Sequence, residues 1–220
     1  MAADPKTDSK AAPKSSKGGG GITNVLLLIL KIVLAILLLP VVVGTTYAVQ
    51  GELATFEPAI RQALFVGMVS YVLMRFFVYD FSVVYTFGQG LITTVFQFLK
   101  PLVNFAPYVL PIYTFAIIIA YGVLSLMGKM QPAWQGIFLF LLAFTFTMHI
   151  VLTAQDLYNK DSMAGKPNYF FGMSLVYIID VFLMALFMSL AVKGFSFPHF
   201  FESLTGTSFK IYAAVFHQLF

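Results

Sequence analysis

Residues 25–43 read VLLLILKIVLAILLLPVVV, an apolar run interrupted only by Lys31 and Pro40. A helix needs ~20 such residues to cross the ~30 Å hydrocarbon layer of a bilayer, so this stretch predicts a membrane-spanning helix. Residues 108–126, 134–153 and 170–192 are apolar over similar lengths. Residues 61–79 form a fifth candidate. Its apolar centre at 63–74 is short and lies between Arg61 and Arg75, whose long stems can carry their charges toward opposite surfaces. A transmembrane barrel would show segments of ~10 residues with alternating polarity instead. The expected fold is an all-α, polytopic membrane bundle of five transmembrane helices, or six, with amphipathic helices in the interface.

Composition agrees with this reading. Hydrophobic residues make up 60% of the 220 positions and charged residues 10%, against ~25% charged in soluble domains. A water-soluble core is excluded on that ground. The chain divides into a flexible basic tail at 1–21, a transmembrane region at 22–193 and an amphipathic interfacial segment at 194–220. With no cysteine, disulfides, thiolate metal sites and a cysteine nucleophile drop out. The formal charge of +4 is no nucleic-acid footprint, because Lys6, Lys10, Lys14 and Lys17 lie in the tail and the other basic residues are scattered. The expected partners are the lipid bilayer and other membrane proteins, with no nucleic acid, cofactor or metal.

The tail mixes its lysines with Ala, Ser, Pro, Asp4 and Asp8 and ends in four glycines, too little apolar surface to order itself. Lysines just ahead of the first span place the N-terminus on the cytoplasmic side of a bacterial inner or plasma membrane by the positive-inside rule. Lys31 can keep its ammonium at the same headgroups. Residues 51–58, with Glu52 and Glu57, read as a short polar loop on the outside. The remaining basic residues divide equally well for five spans and for six, so charge does not choose between the two counts.

Residues 81–99 are the ambiguous piece. Ser82, Thr86, Gln89, Thr93 and Gln97, followed by Lys100, recur at helical spacing and make one polar stripe. Such a helix lies in the interface or re-enters the membrane, or it crosses with the stripe turned inward; the short connection to the preceding span favours the first. Ala116 and Ala120 are spaced to admit a neighbouring helix closely. At the C-terminus, Phe209, Tyr212, Phe216, Leu219 and Phe220 share one helical face, the pattern of an interfacial helix. His199 and His217 read as solvated.

Chemistry-bearing residues inside the apolar runs are few. Asp180 lies near the middle of the last span, where an ionised carboxylate is costly without a partner. His149 lies on the preceding span at a similar distance from the connecting loop, so the two can meet on antiparallel neighbours. The pair could relay protons or hold a cation, or serve as a neutral structural contact between helices. Enzyme classes fail on residue types. A zinc protease needs H-E-x-x-H, and His149 is followed by Ile150, Val151, Leu152 and Thr153. Gly172-Met173-Ser174 offers only a bare G-x-S, and Asp80 with Asp180 lacks the glycine-flanked second aspartate of intramembrane aspartyl proteases. The sequence reading is a non-catalytic membrane subunit or scaffold that interacts with other membrane proteins or lipids. The alternative is a small proton- or ion-coupled transporter or channel component built on His149 and Asp180.

Overall fold

The computed structural model describes residues 20–129, 132–161, 166–192 and 194–219. The lysines of the tail and Lys193 lie outside them. The described residues form helices and connections without strands. In chain order the helices are α1 (Gly20–Ala54), α2 (Pro58–Phe77), α3 (Ser82–Val95), α4 (Lys100–Val103), α5 (Ala106–Val109), α6 (Ile112–Leu126), α7 (Pro132–Lys160), α8 (Pro167–Ala191) and α9 (Phe197–Leu219). Four of them, α1, α2, α7 and α8, are long and apolar enough to cross a membrane. Large apolar side chains such as Leu26, Ile29, Phe65 and Phe76 face outward. Water would penalise that arrangement; hydrocarbon does not.

Side-chain pairs set the directions of the helices. Lys31 donates to Asn168 Oδ1 at 2.7 Å, and Thr46 and Tyr177 hydroxyls lie 2.9 Å apart, so α1 and α8 run parallel. Helices α2 and α7 also run parallel: Gly67 lies against Phe140, and one helical stretch further on Arg75 donates to Gln155 at 3.1 Å. Helices α6 and α7 are antiparallel, through Thr114 with Thr145 and the Tyr121 and Phe138 rings. The apolar core between them includes Leu64, Leu139, Leu142, Val181 and Met188. Close backbone approach occurs at glycines. A Cβ on Gly67 would lie 2.3 Å from the Phe140 carbonyl oxygen, and one on Gly44 would lie 2.8 Å from that of Leu204. Ala116 and Ala120, expected to serve this purpose, are exposed.

Several sequence expectations are corrected. Glu52 is not in an outer loop: α1 continues to Ala54, and Glu52 is buried. Its Oε2 accepts from Ser196 N–H at 2.9 Å, and its Oε1 meets Nδ1 of His199. His199 keeps its ring exposed but is not merely solvated. The apolar run at 108–126 is not one helix, because it breaks at Leu110 and Pro111 between α5 and α6. Pro111 supplies no N–H, and its ring is incompatible with a helical residue before it, which accounts for the extended backbone of Leu110. Helix α9 lies antiparallel along α1: Ser196 and His199 pair with Glu52, Leu204 and Ser208 face Gly44, and Tyr212 donates to the Leu37 carbonyl.

Candidate intramembrane site

Asp180 is one residue beyond the centre of the 25-residue α8, and His149 lies three residues beyond the centre of the 29-residue α7. The antiparallel packing of these helices brings them together at mid-length, with His149 Nε2 3.4 Å from Asp180 Oδ2. Both are sealed from solvent, with side-chain exposures of 7% and 0%. Neither oxygen of Asp180 has a hydrogen-bond partner among the described residues. The better-aligned contact of His149 Nε2 is with the Tyr108 carbonyl oxygen at 3.1 Å. That carbonyl belongs to α5, two residues before the break at Leu110 and Pro111.

The site therefore joins three features of the sequence: an acid, a base and an interrupted helix. Backbone that leaves the helical path at membrane depth is tolerated where protein buries it or where it lines a cavity. Here a small cavity borders the break, lined by Tyr85, Gln89, Pro107, Leu110, Pro111 and His149 among others. It offers about 10 Å³ to the centre of a water molecule, close to the room one water requires.

Helix α7 carries a polar row away from His149. Thr153, Asp156 and Lys160 follow at four, seven and eleven positions, the repeat of a single helical face. Thr153 shares a 2.8 Å hydrogen bond with the hydroxyl of Tyr85, whose ring packs 6.0 Å from that of His149. Lys160 donates to Asp156 at 2.9 Å and also to the Tyr108 hydroxyl. Tyr108 thus contacts His149 with its carbonyl and Lys160 with its phenol.

The polar stripe of 81–99 is divided. Gln89 donates to the Tyr85 hydroxyl at 2.7 Å and joins the network. Thr86 and Thr93 bond to carbonyls of their own helix, those of Ser82 and Gln89. Ser82 donates to Asp80 through its backbone at 3.0 Å and its hydroxyl at 2.5 Å. Those bonds, helped by Arg75 at 3.4 Å, hold the exposed Asp80 carboxyl below the usual carboxylate range. Gln97 is exposed past the end of α3. Tyr85, Gly88 and Ile92, on a neighbouring face, make the buried side of the helix. Sequence reading left Tyr85 outside the polar stripe and took Tyr108 only as the start of a span. A buried tyrosine seeks a hydroxyl partner, but which partner it finds depends on helix packing.

The chain matches no protein-family model, no curated protein and no solved structure. Any function rests on the site itself.

Proposed function

We propose that this chain is a multi-pass membrane protein that takes up and releases a proton at the His149–Asp180 pair, as a small proton- or ion-coupled transporter or channel component. The supporting observation is the environment of Asp180: sealed at mid-helix, with neither oxygen given a hydrogen-bond donor by the described residues and one base 3.4 Å away. A carboxyl retained only to join two helices is ordinarily hydrogen-bonded in full, since unmet buried polar groups are costly. One proton has two places to rest here. On Asp180 it leaves the pair neutral, with the carboxyl O–H turned to the lone pair of Nε2 and the Tyr108 carbonyl without that donor. On Nε2 it makes an imidazolium facing a carboxylate, with the Tyr108 carbonyl as second acceptor. Loss of that proton leaves the carboxylate against a neutral imidazole, the costliest state at this depth.

In this reading α1, α2, α7 and α8 cross the bilayer, α5 and α6 cross as a broken helix, and α9 crosses beside α1. The short α3, 14 residues long or about 21 Å, stays within one half. The count is six, with α9 rather than residues 81–99 as the added span.

A second reading, a non-catalytic subunit or scaffold for other membrane proteins or lipids, is favoured by the dryness of the site, whose adjoining cavity has room for about one water. Purified protein in proteoliposomes separates the two. Proton coupling predicts a dye-reported proton flux that Asp180→Asn and His149→Gln both abolish at unchanged protein level. No flux from the wild type, together with co-purification in a complex of fixed stoichiometry, would establish the subunit reading instead.

A further inference from the structure

If the pair exchanges protons as proposed above, they must reach it from somewhere, and the surroundings are strongly asymmetric. Toward the C-terminal end of α7, side-chain exposure rises from 0% at Asp180 and 7% at His149 to 29% at Asp156 and 60% at Lys160. Between these ends stand Thr153, Tyr85 and Gln89, hydrogen-bonded in series. Toward the opposite end, Thr145 lines the cavity beside His149 and pairs with the buried Thr114, and the other residues on that side include Leu139, Leu142, Val181, Ala185 and Met188, buried in the apolar core. Titratable groups face the pair from α3 (Tyr85) and α5 (Tyr108), with Asp156 and Lys160 further along α7.

We infer that Asp180 exchanges its proton with one side only, through a half-path formed by Lys160 and Asp156 at the mouth, Thr153 and Tyr85 in the middle and His149 at the inner end. Hydroxyls both donate and accept, so Tyr85 and Thr153 can pass a proton inward while each takes one from its outer neighbour, and the single-water cavity beside His149 supplies the link to Gln89 and Tyr85. The mouth opens on the side where α1 begins, because Lys31 bonds to Asn168 at the start of α8, next to the end of α7. Past the Thr114–Thr145 pair, whose hydroxyls bond to each other and, for Thr145, to a carbonyl of its own helix, the apolar core of Ile118, Leu139, Leu142 and Met188 interrupts onward passage. This conformation is one access state, and release to the far side needs a rearrangement, for which the break at Leu110 and Pro111 is the natural hinge.

The test uses the full chain reconstituted in vesicles of known orientation, with the infrared carboxyl band of Asp180 assigned by its loss in Asp180→Asn. A pH jump applied to the Lys160 side should shift that band promptly, and the same jump on the other side should act at least about tenfold more slowly. Tyr85→Phe and Thr153→Val, which keep shape and remove a hydroxyl, should each slow the prompt response by about tenfold, the scale set by one lost hydrogen bond. Equal response from both sides would overturn the one-sided path while leaving a titrating pair intact. A carboxyl band that never changes with pH would overturn the path together with the proton-exchange reading. Should either variant fail to accumulate, the sidedness of the wild type decides by itself.

Discussion

At the scale of single residues, hydrogen-bond partners separate two buried acids that composition alone makes equivalent. Among the described residues Asp180 has no hydrogen-bond donor, whereas Glu52 accepts from the backbone of Ser196 and meets His199. Glu52 therefore acts as a clamp between the end of α1 and the start of α9. Glu52→Ala removes the acceptor of the part-buried bond from the Ser196 N–H and the partner of His199, and should lower stability by about 1–3 kcal/mol. Thermal unfolding in mild detergent measures this, and an unchanged midpoint would refute the clamp. Glu52→Gln keeps an acceptor for Ser196 and should cost less. The sequence marked Asp180 because a lone charge in an apolar run stands out. It did not mark Glu52, because a charge close to the end of such a run looks solvated until α9 covers it.

Among the helices, contact depends on where side chains are missing. Gly67 admits the backbone of α7, and Gly44 admits that of α9. Gly67→Ala should destabilise by about 1–3 kcal/mol through overpacking. Gly90→Ala is the contrasting case. Nothing lies within 4 Å of a Cβ there, so removing a flexible residue from a helix should be neutral or stabilise by about 0.5–1 kcal/mol. Denaturant titration of both variants checks the sign of each effect, and equal losses would show that the two sites are packed alike. Neither contact is legible in the sequence, since glycines at 44, 67, 90 and 122 look the same until the helices are docked.

For the whole molecule, the antiparallel pairing of α1 and α9 carries a topological consequence. If α1 and α9 both cross the bilayer, as proposed, the start of α1 and the end of α9 lie on the same side. A reporter fused after Phe220 should be active on the side of the N-terminus, and activity on the opposite side would remove α9 from the membrane. Single cysteines add a second check, free of background because the chain has none of its own. Cysteines at Ser82 and Gln97 should label with an impermeant maleimide from one common side, since α3 is too short to separate them by a bilayer.

The helical membrane class follows from the sequence by itself, because backbone groups in hydrocarbon must be satisfied within the chain and long apolar runs permit only helices. The lone acid and base were legible too, since charge inside such runs is rare. Tertiary structure decided the rest. Hydropathy averages over a helix and carries no direction, so it could not show that α9 lies along α1, that residues 108–126 break beside His149, or that Tyr85 and Thr153 meet. Those arrangements depend on which faces pack together, which is set by long-range shape and a few polar pairs rather than by local composition.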